Sequence, residues 1–282
     1  MKIDVYTANA FCHEGMGGNG AGIVLDAGCL SRSDKQHIAT TMGLSETVFV
    51  CSSDKADFSL EYFTPAAEVE LCGHATIATF GLMHVRNGLS GRFLIETLSG
   101  LLEVVVCNEG RVMMQQRTPE FYDVYAPEVF AGCLPAEWVM TELPVQAVST
   151  GLKDILLPVD SVEHLRQMKP DFGLMAELNR RQGVVGVHAF ALTKEGGYVA
   201  ECRNFAPLYD IDEESATGTS NCALACYLHR YVAKRPEYRF VQGVSMGQTS
   251  EIVVSIDAID DHIAKVMVGG ESIPTGVRQL EV

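Results

Sequence analysis

No stretch of this 282-residue chain approaches the ~20 consecutive apolar residues that a bilayer-spanning helix needs. The opening segment, MKIDVYTANAFCHEG, lacks the apolar core of a secretory signal. A soluble, cytoplasmic protein with no membrane partner is therefore expected. Basic residues are scarce, 21 Lys and Arg against 36 Asp and Glu, and the net charge of −15 excludes a general attraction to phosphate backbones or anionic lipid. Nucleic acid is not expected as a partner. A small anion still fits, because the backbone N–H groups of a helix start bind anions whatever the global charge.

Cysteine is present but not patterned. Cys12, Cys29, Cys51, Cys72, Cys107, Cys133, Cys202, Cys222 and Cys226 form an odd, scattered set. That excludes a paired disulfide framework, and closely spaced zinc ligands are missing too: Cys222 and Cys226 lie four apart with no second pair. Most are expected to be buried reduced thiols, packed as small hydrophobes. Neither a metal nor a cofactor is expected. What the chain does have is apolar content, 47% hydrophobic against 20% charged, enough for the core of one large domain or two ordinary ones.

Hydrophobic periodicity divides the first half into short strands around two helices, over about 34–42 and 73–86. The second half adds helices near 136–140, 162–168, 171–181 and 218–232 among further strands, the last of them near 264–268. No low-complexity linker separates the halves. Proline punctuation places the division in 119–135, giving domains 1–125 and 126–282, with the C-terminal strands able to return to the first. The halves echo each other: SLEYFTPAAEVELCGHATIATF at 59–80 and VAECRNFAPLYDIDEESATGTSNCALACY at 199–227 share alternating strand, Phe-x-Pro, acidic loop, glycine and small-residue helix. One copy per half points to two pseudo-equivalent domains facing each other.

Each echo delivers a helix start of small residues, Gly73-His74-Ala75-Thr76 and Thr217-Gly218-Thr219-Ser220. The first N–H groups of a helix lack intrahelical partners and carry the positive end of its dipole, so two converging starts would hold a carboxylate or an enolate oxygen. Plain capping by Gly and Thr is the simpler alternative. Glu46, in LSETV just after Gly43, stands at a helix-to-strand junction where a carboxylate can transfer protons, or else is a solvated turn residue. His74 is a candidate proton relay, or a hydrogen-bonded cap. Glu214 precedes Gly218 much as Glu68 and Glu70 precede Gly73. Cys72, at a helix start, offers a thiolate base instead. Its counterpart is Thr217, a poor base, which argues against a symmetric two-thiol racemase.

Taken in order, GGNGAGIVL, LSETVFV, FTPAAEVELCGHATIAT, RNFAPLYDIDEESATGTS, QGVSMGQTSEIVV and VMVGG resemble the PhzF family of phenazine-biosynthesis-like isomerases, through essentially the whole chain. The resemblance implies an α/β (α+β) fold of the diaminopimelate epimerase type, with two pseudo-symmetric domains, each a mixed sheet around a central helix, the site between them, and commonly a homodimer. It also implies cofactor-free isomerisation of a small anionic, carboxylate-bearing metabolite. Glu46 would move the hydrogen, His74 and Glu214 would share the acid–base work, and Asn19, Ser45, Cys72, Gly73, Thr217, Gly218 and Thr219 would line the substrate. Departures from the family pattern are Glu214 for aspartate, Thr219 for serine, Gly20 for proline and Gln248 for arginine. One extra methylene moves a carboxylate about 1.5 Å, and shifts of about 1 Å can be catalytically large. The phenazine precursor is therefore not inferred as substrate. The rival expectations are a Cys72-dependent epimerase or racemase and a non-catalytic small-ligand-binding protein that keeps the fold.

Overall fold

The computed structural model describes residues 1–260 and 262–282. They form two compact units, Met1–Gln115 with Gly269–Val282, and Gln116–Val268. The first unit thus ends before residue 125, where the sequence placed the division, and it takes in the C-terminal residues.

The first unit is built in the order β1 (Lys2–Cys12), β2 (Asn19–Val24), α1 (Arg32–Met42), β3 (Thr47–Cys51), β4 (Phe58–Phe63), β5 (Glu68–Val69), α2 (Gly73–Asn87), β6 (Gly91–Thr97), β7 (Gly100–Val106) and β8 (Val112–Gln116). Its sheet is mixed. β2 pairs antiparallel with β1 and parallel with β3, while β4 pairs antiparallel with β3 and β5 but parallel with β6. Strands β6, β7 and β8 then form an antiparallel meander. α2 buries every residue from His74 to Met83, so it is a central helix rather than an amphipathic surface one. A smaller cluster under α1, with Ile38, Ala39, Phe49 and Phe63, completes the unit's apolar packing.

The second unit follows with β9 (Glu120–Tyr125), β10 (Val145–Ser149), β11 (Lys153–Val159), α3 (Val162–Gln167), α4 (Phe172–Gln182), β12 (Gly186–Leu192), β13 (Ala200–Ala206), β14 (Ile211–Glu214), α5 (Gly218–Tyr231), β15 (Glu237–Gln242) and β16 (Ser250–Ile259). Its pairing repeats that of the first unit strand for strand. β11 is parallel to β12, β13 is antiparallel to β12 and to the short β14, and β13 is parallel to β15, the strand after the helix. α5 is likewise buried, from Ser220 to His229. The echo in the sequence is a repeat of topology.

Three expectations need correction. Residues 136–140 do not form an α-helix; Ala136–Trp138 is a single 3-10 turn between Pro135 and Val139. The supposed divide contains a strand, β9, which pairs with β10 and whose side chains are mostly exposed, the pattern of a solvated ribbon that hydrophobic periodicity does not reveal. The final strand does not stop near 268: β17 (His262–Glu281) runs on, and its second part pairs antiparallel with β1 from Glu271 opposite Cys12 to Glu281 opposite Lys2. That stretch is polar and exposed, and pairing with a distant segment alone makes it a strand.

All nine cysteines are free thiols, six of them buried. Among the described residues no helix is long and apolar enough to cross a membrane.

Candidate active site

Glu46 is placed by the parallel pairing of β2 with β3. Its carbonyl accepts a hydrogen bond from Gly22 N–H at 3.0 Å, just before β3 begins. A Cβ at Gly22 would stand 2.8 Å from Thr47 Oγ1, so the close approach of these strands requires glycine there. On the other side, α1 ends at Gly43 in the left-handed conformation (φ 64°), and the short Leu44-Ser45-Glu46 turn swings into β3. Asn19 opens β2 next to Gly20, whose carbonyl lies 3.5 Å from the Ser45 hydroxyl.

The α2 start supplies the rest of the cluster. Cys72 is the N-cap in extended conformation and Gly73 is the first helical residue. Thr76 ties this turn down, donating to Cys72 O at 2.7 Å while its oxygen meets the buried Tyr62 hydroxyl of β4 at 2.7 Å. His74 then points at the Glu46 turn: Nε2 lies 3.2 Å from Glu46 Oε2 and 3.3 Å from Ser45 Oγ, and Nδ1 lies 3.4 Å from Cys72 Sγ. Glu46 Oε2 is buried, and the His74 ring is the cation-forming group that faces it. His74 is 8% exposed and the Glu46 side chain 20%. Glu46 is therefore no solvated turn carboxylate, and His74 caps no helix.

Burial and charge compete here. Burial pushes the Glu46 carboxyl up, but His74, then Ser45 and Cys72, more than offset it, leaving the pKa below the ordinary glutamate value. Burial disfavours a charged imidazole too, yet the Cys72 sulfur and the Glu46 carboxylate facing the ring hold His74 well above its usual value. The Cys72 thiol is raised by burial, against His74. The three groups are thus pulled apart, the carboxyl down and the imidazole and thiol up.

The remaining predicted residues lie in the second unit, around the α5 start. Thr217 is the N-cap and donates its hydroxyl to Glu214 Oε2 at 2.6 Å. Thr219 O accepts from Thr150 Oγ1 at 3.1 Å. Sequence reasoning missed Gln242, wholly buried at the end of β15. Its Nε2 donates to Glu214 O at 2.7 Å and to Thr217 Oγ1 at 3.1 Å, and its Oε1 accepts from Thr217 N at 3.3 Å and Asn221 Nδ2 at 2.7 Å. One amide thus clamps the loop, the N-cap and the helix. The only signal for it was its place at the head of the QGVSM stretch.

Deeper in the same unit lie Asp154, His188, Asn204 and Ser220, each at most 3% exposed. Asn204 Nδ2 meets His188 Nδ1 at 3.2 Å and Ser220 Oγ at 3.1 Å, and Ser220 donates to Asp154 at 2.5 Å. Burial drives the His188 pKa down to about 3, against a contact with Asn221. Neither α2 nor α5 has a side-chain cap, whereas Ser31, Ser161 and Asp171 cap α1, α3 and α4. Neither glycine-led start thus has an N-cap side-chain oxygen over its N–H groups, although Gln242 Oε1 accepts from Thr217 N.

The comparisons give the class of protein to which this duplicated mixed α/β fold belongs. Residues 8–276 match the phenazine biosynthesis-like protein family, PhzC-PhzF, so the chain belongs to that family. It is 33% identical over 270 residues to an uncharacterized isomerase of Deinococcus radiodurans, covering 90% of this chain and 86% of that one. The YddE protein of Escherichia coli, also named an uncharacterized isomerase, is 29% identical over 97% of this chain and 96% of its own. The PhzF-family phenazine biosynthesis protein of Bacillus anthracis superposes with a TM-score of 0.91 at 28% identity, covering 100% of both chains. This chain is an isomerase of the PhzF type.

Proposed function

We propose that this isomerase works without a cofactor, moving a proton between carbons of a small carboxylate-bearing metabolite, with Glu46 as the general acid and base. The observation that carries the reading is the buried Glu46 oxygen 3.2 Å from the His74 ring with no aligned hydrogen bond of its own. It begins as a carboxylate, the state a base needs, and the imidazolium beside it can follow or return the proton. A carbon acid flanked by unsaturation gives up its proton to Glu46, the charge moves to an oxygen, and the protonated carboxyl returns the hydrogen at another carbon. Uncapped N–H groups at Gly73 suit that oxygen or the substrate carboxylate.

In this proposal Ser45, Cys72 and Asn19 line the substrate beside Glu46, while Thr217 and Thr219 position the second helix start and Glu214 supports it through the Thr217 hydroxyl. A homodimer is part of the proposal and rests on the family resemblance alone. The Cys72-dependent alternative is disfavoured by the burial that keeps the thiol protonated.

The test is solvent deuterium incorporation into small carboxylic metabolites selected by thermal shift. Wild-type protein is expected to place deuterium on carbon, and Glu46→Gln to lose the exchange while still binding. Full exchange by Glu46→Gln defeats the assignment, and complete loss on Cys72→Ala with Glu46 intact favours the thiol.

A further inference from the structure

The Glu46, Cys72 and His74 cluster presents one oxygen, one sulfur and one ring nitrogen, all within 4.8 Å of one another, in a single unit of the fold. That is the donor set of a three-ligand zinc site. Zinc binds thiolate at about 2.3 Å, imidazole at about 2.0–2.1 Å and carboxylate at about 2.0–2.2 Å in tetrahedral geometry. Those lengths put nitrogen and oxygen about 3.3 Å apart and sulfur and nitrogen about 3.6 Å apart. Here His74 Nε2 lies 3.2 Å from Glu46 Oε2 and 3.8 Å from Cys72 Sγ. The nitrogen–oxygen edge is therefore already near its metal-bound length, while Cys72 Sγ, which lies nearer Nδ1 at 3.4 Å, reaches an ion on Nε2 by a turn of its side chain.

The donors are also held in place. Cys72 and His74 project from the N-cap and first turn of α2, which Thr76 and Tyr62 pin, and Glu46 is anchored by the β2 and β3 pairing. A thiolate beside an imidazole selects a soft or borderline ion over magnesium or calcium, and three protein ligands leave a tetrahedral ion one position for water or a substrate atom.

We propose that Glu46, Cys72 and His74 form a zinc-binding site, and that Zn2+ bound there silences the enzyme by occupying the oxygen that moves the hydrogen. The silencing, though not the binding, rests on the proposed role of Glu46. Coordination displaces two protons, that of the Cys72 thiol and that on His74 Nε2, both of which pass to solvent, and no redox change is involved. The protein would then be active when metal-free and reversibly inhibited by zinc.

Cobalt(II) titration of the full chain tests the site without any substrate. One equivalent of Co2+ is expected to bind with a thiolate-to-cobalt charge-transfer band, which one equivalent of Zn2+ abolishes. Cys72→Ser and Cys72→Ala should lose the band, Glu46→Gln and His74→Asn should weaken metal binding at least tenfold, and Cys107→Ser should behave as wild type. Absence of the band in wild type at excess Co2+, or its survival in both Cys72 variants when each remains folded by circular dichroism, overturns the site. For the silencing, bound Zn2+ is expected to cut deuterium exchange at least tenfold, with recovery on adding EDTA. Unchanged exchange with zinc bound overturns that part. Metal binding is read without substrate and the Glu46→Gln exchange assay without metal, so the failure of one is distinguishable from the failure of the other.

Discussion

The α2 and α5 starts sit at equivalent places in two units of the same topology, yet their chemistry has parted. Around α2 the polar groups are ionisable and few: a carboxylate, an imidazole and a thiol, with the Glu46 oxygen left without an aligned hydrogen bond. Around α5 they are mostly neutral amides and hydroxyls, with Gln242 alone making four contacts. A buried carboxylate facing an imidazole can exchange a proton with it, whereas a network of amides and hydroxyls cannot. Duplication thus supplied two helix starts. In the proposed function, one holds the groups that transfer the proton and the other is their support.

The largest effect should come from exchanging the two carboxylates in turn. Glu46→Gln is expected to lower deuterium exchange by roughly 10²- to 10⁴-fold, the usual contribution of a general acid–base group. Glu214→Gln should cost only about tenfold, the size of one weakened hydrogen bond of about 1.4 kcal/mol. Equal losses in the two variants, measured on one substrate, would erase the proposed division of labour.

Acid should find the second unit's weakness through His188. Its folded pKa, about 3, lies below the ordinary histidine value of 6.5, so the unfolded chain binds the proton more tightly between the two. Stability from this group is full above pH 6.5 and falls as the pH drops towards 3, by about 1.4 kcal/mol per pH unit. His188→Gln should flatten that slope in denaturant titrations at a series of pH values. Parallel slopes for the variant and wild type would show that His188 is not the cause.

A smaller effect is expected from Gln242→Leu, which leaves Thr217 N–H and the Asn221 amide without their acceptor. The cost should be about 1–3 kcal/mol. Amide hydrogen exchange should quicken at Thr217 and its neighbours while the middle of α5 stays protected. If exchange there is unchanged, the loop does not depend on this clamp.

Much of this was legible without coordinates. The small-residue runs after Gly73 and Gly218, the strand alternation and the repeated Phe-x-Pro order placed both buried helices nearly to the residue. Local pattern reaches that far because helix burial and capping depend on neighbours three and four positions away. Ser45, Glu46, Cys72, Gly73 and His74 also do converge in the first unit. Strands β9 and the end of β17 were invisible, because their residues stay largely exposed and pairing with remote segments makes them strands.

The sequence by itself determined the two buried helices, the glycine-led starts and the family, since these follow from residue type at short range. Tertiary structure alone decided which side chains meet at each start, and so the direction in which the pKa values of the cluster move. A pKa depends on what stands within a few ångströms, and Glu46 meets His74, as Gln242 meets Thr217, only once distant strands and helices have packed.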